Sequence, residues 1–231
     1  MNRWFYNKQL STIKFVLIAF LSMSFTACSI KDGEDDCQTG FHVKFEYDYN
    51  MKFADAFSNE VDLVTLYIFD EEDTYLTQMT AEDTALKDKS FYMALDLEPG
   101  TYNLIAWAGL DGVSFKVLTQ LESRISILSE PKIGFTTTKE FSDADLHPLW
   151  QGEVMNITVP KTGYQETTIS LVKDTKRIRV VLQQLNALPI TNDDFRLEIT
   201  DDNSLFDFHN NIIPNGTTTY TPYASGYGSI G

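Results

Sequence analysis

An all-β fold is what this sequence predicts, and three observations predict it. Residues 41–48 alternate, with Phe41, Val43, Phe45 and Tyr47 on one face and His42, Lys44, Glu46 and Asp48 on the other. That is a strand with one face buried and one face wet. Residues 61–69 are instead β-branched and aromatic on both faces, from Val61 to Phe69, as a central sandwich strand requires. Turn signals separate such runs: Asp70-Glu71-Glu72-Asp73, and Glu98-Pro99-Gly100, where proline fixes φ and glycine supplies the positive one. Short strands, frequent turns and little helix mean a β-sandwich.

Taken in order, the chain opens with a basic lead-in, Arg3, Lys8 and Lys14, with no acidic residue before Cys28. The apolar run 15–25 has the length of a secretory h-region. It is short of the roughly 20 apolar residues that a bilayer span needs. Phe25-Thr26-Ala27-Cys28 follows, bulky then small, small, cysteine. That order resembles the bacterial lipobox, which implies cleavage between Ala27 and Cys28 and acylation of the Cys28 sulfur. Each buried methylene contributes about 0.8 kcal/mol and one chain binds only marginally, so the several chains of a bacterial lipoprotein make the anchor permanent. The alternative is an ordinary signal peptide cut near Ala27 that leaves a free thiol. Residues 1–27 are thus expected to be a lipoprotein signal peptide and 28–40 a lipidated tether.

The tether contains Asp32, Glu34, Asp35 and Asp36 and too little apolar surface to fold. A dozen extended residues reach at most about 40 Å. Acidic residues after a lipidated cysteine also resemble the surface-export signal of lipoproteins in fimbriate Gram-negative anaerobes; a plain soluble spacer is the other reading. The 231 residues carry a formal net charge of −15. A chain so acidic does not present the basic face that nucleic acid requires. Nor is an anionic lipid surface attracted to it, so membrane contact is expected through lipid alone. Two cysteines are present. Cys37 is unpaired if Cys28 is acylated, and the two can form a disulfide if it is not.

Beyond the first two strands, residues 75–79 read as a hairpin arm, and 90–97, 101–110, 153–160 and 166–172 as further strands. Residues 177–184 alternate Arg177 and Arg179 with Ile178, Val180 and Leu182, and 195–200 place Phe195, Leu197 and Ile199 inward. Val117, Leu118, Leu121, Ile125 and Leu128 recur at three- and four-residue steps, which predicts a short helix or helical loop. Pro160, Gly163 and polar neighbours mark the best domain boundary, giving domains at 41–160 and 161–231. The second is short, and 220–231 end it without a charged, polar stop. The chain therefore reads as cut short, or as needing its last strand from elsewhere.

Catalytic and metal-binding groupings were sought in the same sequence. His42, His147 and His209 stand at no metal-ligand spacing and read as surface residues. Asp193-Asp194 and Asp201-Asp202 lack the spacing and central glycine of a calcium loop. Residues 226–231 match Gly-x-Gly-x-x-Gly by letter, but no helix follows. There is no Gly-x-Ser-x-Gly. Asp83-Thr84-Ala85 resembles an O-glycan acceptor of these anaerobes, although an ordinary loop is the simpler reading. Trp107 and Trp150 could stack sugars, but a tryptophan in an apolar strand is usually core. No catalytic, cofactor or metal site is expected, and no enzyme.

Several stretches together resemble a known family: Phe45-Glu46-Tyr47-Asp48-Tyr49-Asn50-Met51 leading to 61–70, Leu95-Asp96-Leu97-Glu98-Pro99-Gly100-Thr101-Tyr102 leading to Ala106-Trp107-Ala108-Gly109-Leu110, and Ile169-Ser170-Leu171-Val172-Lys173. They are similar to the minor fimbrial anchor subunits, related to fimbrillins, of the type V fimbriae of Gram-negative anaerobes. The resemblance implies two transthyretin-like β-sandwich domains in tandem, the second incomplete here. It implies a lipidated cysteine at the outer membrane, surface exposure at the base of a fimbria, and a non-enzymatic role in attaching the fimbria and limiting its length. Fimbrial stalk subunits are the implied partners, joined by strand complementation. A surface glycan-binding lipoprotein is the alternative, since it too needs a lipid anchor and β-sandwiches.

Overall fold

The computed structural model describes residues 40–136, 140–182 and 195–226. The signal, the tether and Cys37 lie outside these residues, as do Asp193, Asp194 and most of the glycine-rich end.

The fold is all-β, built on two sheets packed face to face. The smaller has the order β10-β1-β4 and contains β1 (Gly40–Glu46), β4 (Met93–Leu95) and β10 (Tyr164–Ser170). The larger has the order β11-β9-β5-β2-β3 and contains β2 (Leu63–Asp70), β3 (Tyr75–Glu82), β5 (Gly100–Ala108), β9 (Trp150–Val159) and β11 (Val172–Lys173). Phe41, Val43 and Phe45 of β1 meet Val64, Leu66 and Ile68 of β2, Leu104 and Ala106 of β5, and Ile169 of β10 in one core. The alternation in 41–47 is therefore read directly in the packing: Phe41 and Val43 are wholly buried while His42 and Lys44 keep partial exposure.

A second layer covers the other face of the large sheet. β6 (Phe115–Val117), β7 (Lys132–Phe135) and β13 (Leu205–Asp207) form one small sheet in the order β13-β7-β6. β8 (Phe141–Ser142), β12 (Ile199–Asp201) and β14 (Thr218–Tyr220) form another, in the order β12-β14-β8. Tyr67, Phe69, Ile105 and Trp107 on this face pack with Phe115, Leu128, Ile133, Phe135 and Phe208. A strand apolar on both faces is thus explained by two cores, one on each side of it.

Two glycines are required by close approach. Gly109 has φ +87° and a Cβ there would lie 2.0 Å from the Pro148 carbonyl oxygen. Gly152 lets β9 pass under the Ser170 carbonyl, 2.5 Å from where a Cβ would stand. A single helical turn, α1 (Phe57–Glu60), is preceded by Asp55, whose carboxylate accepts from the N–H groups of Phe57 and Tyr47, each at 2.9 Å.

Four expectations are corrected. The step at 160–165 is a sheet-switching turn: β10 pairs in parallel with the whole of β1, and β11 pairs with β9. The first sandwich therefore runs on to Lys173. Residues 113–134 form β6, β7 and an irregular crossing between them, not a helix; Leu128 is buried but Leu118 and Ile125 are exposed. The three- and four-residue spacing there matches a winding loop that drops every few residues into the second core. Residues 177–182 form no strand. Phe195 and Leu197 precede β12 outside any strand, and Phe195, Leu197 and Ile199 are exposed instead of inward, because no described segment covers them.

Candidate functional surfaces

Ala27 and Cys28, the expected cleavage and acylation residues, lie outside the described residues. The described residues begin with the first strand. Gly40 opens β1, the middle strand of the small sheet, paired with β10 on one side and β4 on the other.

The first surface is a strip that clamps residues 205–213 to the large sheet. Phe208 is fully buried, its ring 4.8 Å from that of Tyr67 and 6.3 Å from those of Phe69 and Trp107. Gln151 Nε2 donates to the Phe208 carbonyl at 3.1 Å, and His209 Nδ1 lies 2.8 Å from a Glu153 carboxylate oxygen. Asn210 Nδ2 donates to Asp174 Oδ1 at 2.7 Å. Burial pushes the Asp174 carboxyl up to about 6, against the Asn210 bond, which favours the charged form. Asp174 Oδ2 and Asn210 Oδ1 have no hydrogen-bond partner among the described residues. Next to the clamp, Lys173 Nζ pairs with Glu60 at 2.9 Å and sits 4.8 Å from the Trp150 ring centre. Sequence reasoning passed over Phe208; the alternation of Leu205, Asp207 and His209 with Phe206 and Phe208 was the available signal.

The second surface is aromatic and lies on the solvent side of the small sheet. His42 stacks on Tyr92 with centroids 3.9 Å apart at 14°, and Tyr164 meets His42 edge-on at 4.8 Å. The Tyr164 hydroxyl donates to Glu166 at 2.7 Å, and Lys44 pairs with the same carboxylate at 2.9 Å. The Glu166 acceptor holds the Tyr164 hydroxyl above its ordinary value, and the Lys44 ammonium holds Glu166 below its own. Trp107 and Trp150, the tryptophans weighed as sugar platforms, are buried in the two cores instead.

The third surface is the outer edge of β3 together with the cleft beside its start. The cleft, about 650 Å³, is lined by Asp70, Glu71, Glu72, Asp96 and Glu98, with Leu76, Thr77 and Arg124 among its walls.

The remaining titratable candidates serve as turn acceptors or ion pairs. Asp201 accepts from the Asp202 N–H and from Asn203, and Asp202 accepts from the Asn215 N–H. His147 Nδ1 contacts Asp111. Asp83, Thr84 and Ala85 lie in an exposed 3-10 turn, Asp83–Lys87. Among the described residues, no cluster of three or more His, Cys, Asp or Glu side chains could hold a metal ion. No helix of these residues is long and apolar enough to cross a membrane.

Sequence and fold together point to one class of protein. The profile of the fimbrillin-A associated anchor proteins Mfa1 and Mfa2 matches residues 34–231, and the chain belongs to this family of fimbrial anchor proteins. The resemblance read from residues 45–51 and 106–110 is thereby shown. Among solved structures, a candidate adhesin of Bacteroides thetaiotaomicron is 37% identical, with TM-score 0.69, over 81% of this chain and 63% of its own. A candidate polysaccharide-binding protein of the same organism is 33% identical, with TM-score 0.76, over 81% of this chain and 66% of its own. The fimbrial anchor protein Mfa2 of Porphyromonas gingivalis, 16% identical with TM-score 0.61 over 79% of this chain and 66% of its own, shares the fold. The chain thus spans just under two thirds of the length of these relatives. Among curated proteins none matches.

Proposed function

We propose that this chain is a lipid-anchored subunit that fastens a fimbria to the outer membrane, limits its length and joins the polymer by strand complementation. The observation that carries this reading is membership of the anchor family over residues 34–231. The lipobox-like Phe25-Thr26-Ala27-Cys28 supports the lipid, with cleavage before Cys28. A subunit held at its own amino terminus cannot readily give up its first strand, so growth stops at it. A second sandwich is proposed to begin beyond Lys173 and to rest residues 205–220 on the outer face of the first, which the exposed Ile178, Val180, Phe195 and Leu197 support. No catalytic step enters this function.

The test is Cys28→Ala in the native host. Fimbriae should be released into the medium and lengthen, and mass spectrometry of the parent protein should find acyl chains on Cys28. Fimbriae that stay fully cell-bound, or a processed terminus without acyl chains, overturn the reading. The alternative, binding of a surface glycan, is favoured by the exposed His42, Tyr92 and Tyr164 rings flanked by Lys44 and Glu166. Retardation of the chain in polysaccharide-containing gels, lost in Tyr92→Ala, would establish it.

A further inference from the structure

Every open sheet ends in strands whose outer N–H and C=O groups are unpaired, and proteins blunt such edges with short strands, lysine, proline, bulges or covering loops. Three of the four edges of this sandwich fit that description. β4 and β11 have only three and two residues, and β10 carries the Glu166 charge at its middle. β3 does not fit it. It runs eight residues, Tyr75-Leu76-Thr77-Gln78-Met79-Thr80-Ala81-Glu82, with no proline or lysine and no charge before Glu82. Its pairing with β2 is regular from Thr77 to Glu82, the only bulge falling at the Tyr75 end.

At that end the edge is covered: Tyr75 N–H donates to the Ser126 carbonyl, Tyr75 C=O accepts from Arg124, and Ser123 Oγ donates to the Leu76 carbonyl. Past Leu76, nothing among the described residues pairs with the outer side. Thr77, Gln78, Met79 and Thr80 are all exposed, Met79 by 38%. In an antiparallel edge strand alternate residues aim both backbone groups outward, so 77–82 present a row of main-chain donors and acceptors about one short strand long.

The cleft beside this row is acidic. Five acidic residues, Asp70, Glu71, Glu72, Asp96 and Glu98, line it with Arg124, the Asp70 carboxylate also accepting from the Glu72 and Thr74 N–H groups, and Leu76 and Thr77 form part of the same wall. An incoming strand laid along 77–82 therefore ends over an acidic hollow. We infer that the 77–82 edge of β3 accepts an extended segment of a fimbrial stalk subunit by β-augmentation, with a basic residue of that segment seated in the cleft. This deepens the anchoring reading, and rests on it for the identity of the partner. Main-chain bonds supply the hold, and the cleft supplies direction and discrimination against acidic strands.

The test compares three full-length variants in the fimbriate host: Cys28→Ala, Thr77→Lys with Met79→Lys, and Glu71→Lys with Glu72→Lys. The β3 pair places ammonium groups on the edge without touching either core. Its melting temperature should equal the parent's, and its acylated amount in the membrane should be unchanged. Cell-attached fimbriae should nevertheless fall at least tenfold, and the Glu71/Glu72 pair should lose several-fold. If Cys28→Ala sheds fimbriae and the β3 pair holds them at the parental level, the edge is not the joint while anchoring stands. If neither sheds them, both readings fall. A second measurement uses the soluble Cys28→Ala chain with sheared fimbriae as probe. Amide exchange at 77–82 should slow at least tenfold on addition of fimbriae, with little change at 40–46; unchanged exchange at 77–82 overturns the proposal.

Discussion

The two faces of the large sheet are made of the same strands and are covered in opposite ways. Toward the small sheet, β2 and β5 offer Val64, Leu66, Ile68, Leu104 and Ala106 to regular strands whose own alternation matches them. On the other face Tyr67, Phe69, Ile105 and Trp107 are covered by short strands, a winding loop and one inserted ring, Phe208. The first core is mainly aliphatic, with Phe41, Phe45, Phe57 and Trp150 set among the aliphatic side chains, and is built by sheet-on-sheet layering. The second is aromatic and built by plugging. The difference teaches that the inner core carries global stability, whereas the outer core positions a later segment of the chain on the first sandwich.

Breaking each face should therefore give different signatures. The largest effect is expected from Leu66→Ala, which opens a cavity between the sheets and should cost about 3–5 kcal/mol. Denaturant melts should show a single transition at lower midpoint. Phe208→Ala should cost about 3 kcal/mol, at the low end for a buried aromatic. Its loss should appear first as faster amide exchange over 205–213 and a red-shifted Trp107 emission, before global unfolding. Equal exchange changes at 40–46 and 205–213 would erase the distinction between the two faces.

Asp174→Asn sharpens the comparison from the opposite direction, by stabilising. The Asp174 carboxyl is pushed up to about 6 in the folded chain, well above its ordinary value of 3.8. The folded state thus binds the proton more tightly than the unfolded one, so stability falls as pH rises from about 4 through 6 and stays at the lower level above. An asparagine carries no charge to bury, and its amide can donate to the orphaned Asn210 Oδ1. At pH 7 Asp174→Asn should gain about 1–3 kcal/mol, and the gain should vanish near pH 4. Thermal melts across that range check it, and a gain independent of pH would contradict it. The smallest effect is expected from His209→Ala. Its pair with Glu153 is about one third exposed on each side, and should contribute below about 1 kcal/mol.

The inner core was legible in the sequence because its two signals are local. The one-sided alternation of 41–47 marks β1, and the doubly apolar run 61–69 marks β2, including the fact that it is covered twice. The turn before β5 was legible in place but not in conformation: the chain bends at Pro99, whereas Gly100 already opens β5 without the positive φ expected of it. The outer core was not, since a covering loop has no period of its own; the spacing of Val117, Leu121 and Leu128 looked helical only because each drops into a hollow of the sheet. The boundary at 160–165 misled because turn chemistry is identical whether a chain changes sheet or changes domain. Gly152, which leaves room for the chain where it crosses back from β10 to β11 at residues 169–171, has no signature in one sequence. The inward assignment of Phe195 and Leu197 assumed that alternation guarantees a cover, whereas it shows only that one face is apolar. The lipobox-like segment lies outside the described residues and rests on residue order alone, and the β3 edge is seen only in the sheet order, which shows what β3 does not pair with.

β1 is the first strand of the described residues, and it is the middle strand of its sheet, matched residue for residue with β10 from Gly40–Tyr164 to Glu46–Ser170. Tension entering at Gly40 along the strand axis loads all of those rungs together, in shear, and cannot peel them one after another from an end. Seven rungs strained in parallel resist rupture far better than the same seven opened in turn. The sandwich is thus arranged as a mechanical clutch for any load that enters at Gly40.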